Sequence, residues 1–400
     1  MDLRSGHPFW IVKNGLIASY PALRESTRCD VAIIGGGITG ALIAVELNQE
    51  GLDVVLLDKR DVATGSTAAS TALLQYEIDT ELIPLIDKVG EANAVRAYRL
   101  GLDAIDRVEQ LVAELPDDCG FIRREGLYLA SRAAHAARLQ AECECRRRVG
   151  FACELLGPAA IAERFPFSAP AAILSRGDAE IDAFRFTHRL LERAAQRGVR
   201  LFDRTTVTKI DRASEQVTIH TDRDSTVTAA RVVFATGYES QQYLRQNIGT
   251  LHSTYALVSE PLDPFPRWPG RCLMWETARP YFYLRSTPND RVIIGGEDTS
   301  FASDHRRDRL IERKTKKLVR RFAKMFPDTP LEVAYAWAGT FGETKDGLAY
   351  IGRPPDWPNA YFAVGYGGNG ITMSVIAARL IADDVVGRPN PDASIYRFDR

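Results

Sequence analysis

The sequence has few cysteines, no long apolar run and almost no excess of either charge. Its six cysteines include no pair with the C-x-x-C spacing of zinc or redox sites, which favours a cytoplasmic protein with reduced thiols. No apolar run reaches the roughly 18 residues of a membrane helix, and the N-terminus lacks a secretory pattern, so we expect no integral membrane segment. The formal net charge of −1 argues against a partner such as nucleic acid.

The composition is that of a globular protein with a sizeable core. Of the 400 residues, 45% are hydrophobic and 26% are charged. At roughly 150 residues per domain, this length predicts two or three domains or one large two-part fold. Apolar strands and helical periodicities alternate first, then give way to β-rich sequence and return near the end. This order favours two interleaved domains over two domains in series.

A glycine-rich turn follows the first apolar strand. The segment DVAIIG reads as a short buried strand, and Ile38–Glu50 has the periodicity of a helix. Between them lies Gly35-Gly36-Gly37-Ile38-Thr39-Gly40, which has the G-x-G-x-x-G spacing. In such a turn the first glycine permits the tight bend, the second lets a pyrophosphate approach the backbone, and the third lets the helix pack on the strand. Asp58 ends the next strand, where it can accept hydrogen bonds from ribose hydroxyls. A dinucleotide site is therefore predicted, without distinguishing FAD from NAD.

A second segment favours the larger flavin cofactor. Gly65–Thr71 (GSTAAST) is small and rich in hydroxyls, so it can wrap a second phosphate and a ribityl chain. Further along, Arg231–Gly237 (RVVFATG) is an apolar strand that ends in a sharp turn. Gly365–Thr372 (GYGGNGIT) begins the last helix. A helix N-terminus directed at the flavin would stabilise the negative charge that develops when the ring takes a hydride.

These motifs together resemble the D-amino-acid oxidase (DAO) family of flavoproteins. The resemblance rests on DVAIIGGGITG, GSTAAST, VVFATG, GTFGETKDGLAYIGRP and AVGYGGNGITMS, and it covers residues 29–385. The lead-in before the first strand is most similar to the γ-glutamylputrescine oxidase branch, and the chain as a whole resembles the γ-glutamylputrescine oxidase and glycine/sarcosine oxidase branch. The resemblance implies an α/β fold, in which a Rossmann-like FAD-binding domain (1–85, 175–240 and 335–400) is interleaved with an α+β substrate domain. That second domain (86–174 and 241–334) is expected to contain a mixed, largely antiparallel sheet.

The resemblance also implies an activity. Family members oxidise a C–H bond next to an amine, pass the hydride to flavin N5 and leave an imine that water hydrolyses. The implied partners are a small amine or amino acid and an acceptor, either oxygen or an electron carrier; a homo-oligomer stays open. Two alternatives remain: a dehydrogenase of a polyol phosphate that reduces a quinone or carrier, and a flavin-binding subunit without turnover. Because Gly339 occupies the position where some relatives carry the tethering cysteine, non-covalent FAD is expected.

The family pattern assigns most of the cofactor contacts. The residues predicted to bind FAD are Gly35, Gly37, Ile38, Thr39, Gly40, Asp58, Lys59, Gly65, Ser66, Thr67, Ser70, Thr71, Val207, Ala235, Thr236, Gly237, Gly339, Asp346, Gly368, Asn369, Gly370, Ile371 and Thr372. No metal ligands are predicted.

The substrate side departs from the family pattern. Five positions that carry a cation in sarcosine oxidase or glycine oxidase are uncharged here, namely Ala72, Gln75, Ile293, Phe341 and Thr372. A site for a small anionic amino acid is therefore doubtful, because a buried carboxylate without a charged partner is costly. One cation remains as a candidate, Arg285, which alternation places on the same strand face as Tyr281 and Tyr283. The predicted catalytic residues are Gln75, Tyr255, Tyr283 and Arg285.

Overall fold

The computed structural model describes residues 3–301 and 303–400, so residues 1, 2 and 302 of the predicted domain ranges lie outside it. The strands of this described part are β1 (Arg4–Gly6), β2 (Thr27–Ile34), β3 (Val54–Leu57), β4 (Leu73–Leu74), β5 (Ile122–Leu129), β6 (Cys153–Leu156), β7 (Ala172–Glu180), β8 (Arg200–Phe202), β9 (Val207–Arg212), β10 (Val217–Thr221), β11 (Thr226–Phe234), β12 (Thr250–Ser259), β13 (Leu273–Glu276), β14 (Phe282–Ser286), β15 (Val292–Thr299), β16 (Val333–Glu343), β17 (Tyr350–Gly352) and β18 (Ala360–Val364).

The helices alternate with these strands. The α-helices are α1 (Phe9–Asn14), α2 (Ile38–Gln49), α3 (Ser66–Ala69), α4 (Leu82–Val89), α5 (Glu91–Ala113), α6 (Ala136–Arg148), α7 (Pro158–Arg164), α8 (Ala183–Gln196), α9 (Asp304–Asp308), α10 (Ile311–Met325) and α11 (Gly370–Val385). Short 3₁₀ segments span Ala133–His135, Gly237–Tyr243, Pro269–Arg271 and Pro391–Tyr396.

The first sheet has the order β17-β18-β11-β2-β3-β8, with β10 and β9 continuing from β11. The neighbours β18, β11, β2, β3 and β8 run parallel, as the βαβ pattern predicts. Helices α2, α8 and α11 pack together beside this sheet and bury apolar side chains in one core. Since the carboxyl ends of parallel strands meet at one edge, the turns after β2, β3 and β11 converge there.

The second sheet has the order β1-β16-β12-β15-β14-β13-β5-β7-β4, with β6 paired to β7. Its pairs are antiparallel except β13 with β5, so the predicted mixed, largely antiparallel sheet is confirmed. Helix α10 covers one face and buries Leu318 and Phe322 against it. The other face turns toward the first sheet.

The division into domains stays a prediction, and two strands cross its boundaries. Strand β16 begins at Val333 and belongs wholly to the second sheet, although the predicted FAD-binding domain resumes at residue 335. Strand β7 likewise spans the boundary at 175.

Two local expectations differ from the structure. Pro8 and Pro21 argue against a regular helix in the lead-in, yet α1 begins directly after Pro8 and buries Phe9 and Trp10. Proline is tolerated at a helix start because the first N–H groups have no partner within the helix. The basic, amphipathic segment 303–326, whose periodicity favours one continuous helix, instead forms two helices, α9 and α10.

Candidate functional site

One large cavity lies between the two sheets, at the carboxyl ends of the parallel strands. Its volume is about 460 Å³. Most of the predicted cofactor-binding residues line it, namely Gly35, Gly37, Ile38, Thr39, Asp58, Lys59, Gly65, Ser66, Thr67, Ser70, Thr71, Val207, Ala235, Thr236, Gly237, Gly339, Gly368, Gly370 and Ile371. We call the part formed by the turns after β2, β3 and β11 the nucleotide end. We call the part formed by segment 75–81 with β14 and β15 the substrate chamber.

The glycines of the first turn are required by close backbone packing. Gly35 has φ of 111°, and a Cβ there would lie 2.4 Å from the carbonyl oxygen of Ala235. A Cβ on Gly40 would lie 1.9 Å from the carbonyl oxygen of Gly35, so any side chain at either position displaces backbone. Gly40 does not line the cavity, and its role is the close helix packing that the motif predicts.

The start of α2 presents backbone N–H groups to the cavity. Its N-cap is Gly37, which supplies no side-chain acceptor, and the Ile38 N–H donates to Thr67 Oγ1 at 3.0 Å. Beside it, the hydroxyl of Ser66 is buried without a hydrogen-bond partner. The N–H groups that follow Ile38 have no capping side chain from Gly37, and together with the unpartnered hydroxyl they fit a bound pyrophosphate, because phosphate oxygens accept hydrogen bonds from both groups.

Asp58 lies at the end of β3 and holds the surrounding turns. Its Oδ2 accepts the Gly36 N–H at 2.7 Å and its Oδ1 accepts the Arg60 N–H at 2.8 Å. Burial raises the pKa of this carboxyl. Each carboxylate oxygen accepts more than one hydrogen bond, so the remaining lone pairs can accept from ribose hydroxyls. Lys59 closes this side of the cavity by pairing with Glu239 at 2.7 Å.

The second glycine-rich turn brings the start of α11 to the cavity. Gly368, Gly370 and Ile371 line it, and the N-cap residue Asn369 makes no side-chain capping bond. The Asn369 amide instead donates to the carbonyl oxygen of Glu77 at 2.8 Å. This bond fastens the glycine turn to segment 75–81. The first N–H groups of α11 therefore remain directed at the cavity without a capping side chain.

Asn369 and Thr372 do not line the cavity, although both were predicted to bind the cofactor. The hydroxyl of Thr372 donates to the carbonyl oxygen of Asn369, so both side chains stabilise the turn. Asp346 also lies off the cavity, where it pairs with Arg400 at 2.9 Å and accepts the Leu348 N–H.

Arg285 and Tyr255 lie away from the cavity, which corrects the prediction that they face a substrate. Arg285 is buried and donates to the carbonyl oxygens of Ala72 and Ile181, at 2.8 and 3.1 Å. The strand alternation is right, since Tyr281 and Tyr283 line the cavity. Arg285 lies about 7 Å beyond Tyr283 along the strand, however, past the edge of the cavity. Tyr255 faces the opposite side, where Lys314 Nζ lies 5.4 Å from its ring centre.

Gln75 and Tyr283, which are predicted to be catalytic, line the substrate chamber, but most of its other walls have no signal in the sequence. Carboxylates and aromatic rings form them: Glu77, Asp79, Glu81, Tyr128, Trp275, Tyr281 and Asp298. Tyr128 and Trp275 stack with ring centres 5.5 Å apart. These side chains come from distant segments and follow no motif, so only the folded chain brings them together.

A buried ion cluster supports one wall of the chamber. Arg146 on α6 pairs with Glu77 at 3.1 Å and with Glu142 at 2.8 Å. Glu142 also accepts the first N–H groups of α4, from Leu82 and Ile83. The i,i+4 spacing of Glu142 and Arg146 is visible in the sequence, but nothing there links it to Glu77. This cluster joins α4, α6 and segment 75–81.

Three features are absent from the described residues: cysteine or histidine in the cavity lining, a metal site and a membrane-spanning helix. The cavity lining there includes neither cysteine nor histidine. In the same part of the chain, no group of three or more His, Cys, Asp or Glu side chains could hold a metal ion. None of the helices between residues 3 and 400, leaving out residue 302, combines the length and apolarity that crossing a bilayer requires.

Comparison with known proteins agrees with the interpretation of this cavity as an FAD site. Residues 30–384 match the family model DAO, described as FAD dependent oxidoreductase. A putative Rieske 2Fe-2S iron-sulfur protein of Bacillus subtilis is 27% identical over 405 residues, covering 98% of this chain and 75% of that protein. The γ-glutamylputrescine oxidoreductase of Escherichia coli is 25% identical, covering 92% of this chain and 85% of that protein.

A glycine oxidase provides both a sequence and a structural comparison. The enzyme of Geobacillus kaustophilus is 27% identical over 366 residues, covering 89% of this chain and 92% of that protein. A crystal structure of glycine oxidase from the same organism matches with a TM-score of 0.73 over 91% of this chain and 96% of that one. Together with the family match and the geometry of the nucleotide end, these findings establish that the chain belongs to the DAO family of FAD-dependent oxidoreductases.

Proposed function

We propose that the protein oxidises the C–H bond next to the nitrogen of a small amine or amino acid. FAD held at the nucleotide end would supply the acceptor for the hydride of that carbon. The substrate nitrogen would release a proton to water, and the resulting imine would hydrolyse to a carbonyl compound and an amine or ammonia. The chain's own residues bind and orient the two reactants. They also exclude bulk water from the place where the substrate and the cofactor meet.

The observation that carries this proposal is the start of α11. Its uncapped N–H groups at Gly370 and Ile371 face the same cavity as the nucleotide end. The positive end of a helix dipole favours negative charge on the group next to it. The N-terminus of this 16-residue helix therefore favours a site that stabilises the cofactor as it gains negative charge, and not a site that only binds it.

Non-covalent attachment of FAD is part of the proposal. Cavity-lining residues in the described chain offer no thiol or imidazole, and Gly339 lines the cavity where a tethering side chain would stand. Acid precipitation of the yellow protein tests this directly. We expect the flavin absorption to move to the supernatant, whereas flavin that stays in the pellet would contradict non-covalent binding.

Anaerobic reduction tests the activity. The purified holoenzyme is mixed with amines, amino acids and polyol phosphates while the flavin absorption is followed. We expect amines or amino acids to bleach it. Bleaching by a polyol phosphate alone would refute amine oxidation. Bleaching by dithionite but by no substrate would favour a flavin-binding subunit without turnover.

A second candidate concerns the electron acceptor. One of the similar proteins is named as a putative Rieske 2Fe-2S protein, and this chain spans 75% of its length. That name supports a dehydrogenase that passes electrons to a carrier instead of oxygen. Oxygen uptake during turnover separates the two: an oxidase consumes oxygen at the rate of substrate oxidation, while a dehydrogenase needs an added dye or quinone.

A further inference from the structure

The substrate chamber contains four carboxylates, and two of them have no ion-pair partner. Glu77 pairs with Arg146, and Glu81 pairs with Arg138 at 3.4 Å. For Asp79 and Asp298, by contrast, no cationic side chain of the described residues lies within 4 Å. Both aspartates line the cavity. The charge of Arg279 acts on both without forming an ion pair with either, so both carboxylates can still pair with a bound molecule.

The two unpaired aspartates differ in their remaining hydrogen bonds. Asp79 Oδ2 accepts the Gly368 N–H at 2.6 Å, which ties it to the glycine turn before α11. Asp298 Oδ1 is buried and has no hydrogen-bond partner. A buried carboxylate oxygen without a donor is costly, so a donor supplied by a ligand would stabilise this arrangement. Burial raises the pKa of Asp298 to about 6, in accord with that unsatisfied position.

Aromatic rings complete the chamber. The stacked pair Tyr128 and Trp275, together with Tyr281 and Tyr283, lines the same cavity as the aspartates. The faces of such rings attract cations, and the attraction strengthens where water is excluded. Arg279 already uses this property, since its guanidinium lies 3.2 Å from the centre of the Tyr281 ring. Arg279 is exposed and does not line the cavity, so it leaves the interior of the chamber open to another cation.

Each cation that lines the cavity already has an ion-pair partner. Among the described residues, its lining includes only Lys59, Arg60 and Arg146 as cations. The first two pair with Glu239 at the nucleotide end, and Arg146 lies between Glu77 and Glu142. The lining itself therefore offers a substrate carboxylate in the chamber Asp79 and Asp298 but no unpaired cation.

We propose that the substrate is an amine with a second, distal positive charge and no carboxylate, and that Asp298 and Asp79 bind this distal cation between the aromatic walls. The inference rests on the proposed amine oxidation, because it assigns the substrate class of that same site. A linear diamine is the simplest compound of the class. One nitrogen carries the C–H bond that is oxidised, and the other remains protonated and pairs with the aspartates.

Three probes of matched length test the distal charge. Diaminobutane, pentylamine and δ-aminovalerate share an amino group on four methylenes and end in a cation, a methyl group and a carboxylate. Each is mixed anaerobically with the holoenzyme, and the rate of flavin bleaching at low concentration is measured. We expect diaminobutane to be at least about tenfold more effective than pentylamine, with δ-aminovalerate the poorest. Equal or faster bleaching by δ-aminovalerate would overturn the inference.

A variant and a binding measurement locate the cation. Asp298→Asn keeps the size of the side chain and removes its charge. We expect the calorimetric affinity for diaminobutane to fall about tenfold, while that for pentylamine changes less than about threefold. Glu312→Gln, at an exposed position of α10, is the matched control, and flavin content shows that each variant folds. An equal loss for both amines in Asp298→Asn would contradict a charge-specific role.

The same measurements separate the inference from the proposed function. Tight, Asp298-dependent binding of diaminobutane without any flavin bleaching would support the cation site and refute amine oxidation. Bleaching by glycine or sarcosine at low concentration, with no advantage for diaminobutane, would support amine oxidation and refute the cation site.

Discussion

At the nucleotide end the groups that face the cavity are largely backbone amides and small hydroxyls, whereas in the substrate chamber they are carboxylates and aromatic rings. The first set comes from turns in which residues close together in the sequence line the cavity, such as Gly35 to Gly40. The second comes from segments far apart in the chain, such as Glu77, Arg146 and Asp298. A cofactor shared by a family can be bound by local motifs. Substrate choice instead depends on side chains that each chain arranges for itself.

The largest effect is expected from breaking the buried ion cluster of the chamber. Arg146→Met leaves Glu77 and Glu142 buried without their cation, which costs about 3–5 kcal/mol of unfolding free energy. Arg148→Met on the same helix is the control, because the pair of Arg148 with Glu91 is exposed and contributes little to stability. Denaturant unfolding of both variants measures the difference. Similar midpoints for the two would contradict a supporting role for the cluster.

A comparable loss of stability is expected at the nucleotide end when a single methyl group is added to Gly40. In Gly40→Ala the new Cβ meets the backbone of Gly35, so the first turn must move, at a cost of about 3 kcal/mol. We also expect the purified variant to lose most of its flavin. Gly157→Ala, which has open space around it, should keep both stability and flavin content. Full flavin occupancy in Gly40→Ala would show that the turn tolerates displacement.

A smaller, pH-dependent effect on the free energy of unfolding is expected from Asp298 in the chamber. The pKa of Asp298 is raised to about 6 in the folded chain, above its usual value, so deprotonation disfavours folding as the pH rises through this range. Asp79, Arg279 and Lys314 also act on this carboxyl. Asp298→Asn should therefore be more stable than the native chain by about 2 kcal/mol above pH 6. The difference should vanish near pH 4.

Diamine binding should follow the opposite course with pH. Ionised Asp298 is the form that attracts a cation, so affinity for diaminobutane should weaken as the pH falls through about 6. Titration calorimetry at several pH values measures both affinities. A pH-independent ratio of diaminobutane to pentylamine affinity would exclude Asp298 as the charged partner.

The smallest effect is expected at the rim of the nucleotide end. Lys59 pairs with Glu239 but its side chain is 38% exposed, so Lys59→Met should change the unfolding free energy by less than about 1 kcal/mol. FAD affinity should change only a few-fold, because backbone amides provide the main contacts. A large loss of FAD affinity would show that this side chain, and not only the backbone amides, contributes much of the binding free energy.

The sequence predicts the nucleotide end well because its signals are local. The strand before Gly35, the helix after it and Asp58 follow periodicity and spacing within about 30 residues. The residues of the chamber have no such spacing. Alternation correctly places Tyr283 and Arg285 on one face of β14, yet it does not tell how far along the strand the cavity extends. Arg285 therefore looks like a substrate ligand in the sequence and is a buried support in the structure.

The fluorescence of two tryptophans near the site can report the binding of the cofactor. The indole N–H of Trp10 donates to the carbonyl oxygen of Ser70 at 2.7 Å, and that of Trp337 donates to the carbonyl oxygen of Ala69 at 2.8 Å. Both rings are thus fixed beside the GSTAAST segment. Tryptophan emission overlaps the absorption of oxidised flavin, so energy transfer should quench these two fluorophores when the cofactor binds. The protein's own fluorescence then follows cofactor loading without a label.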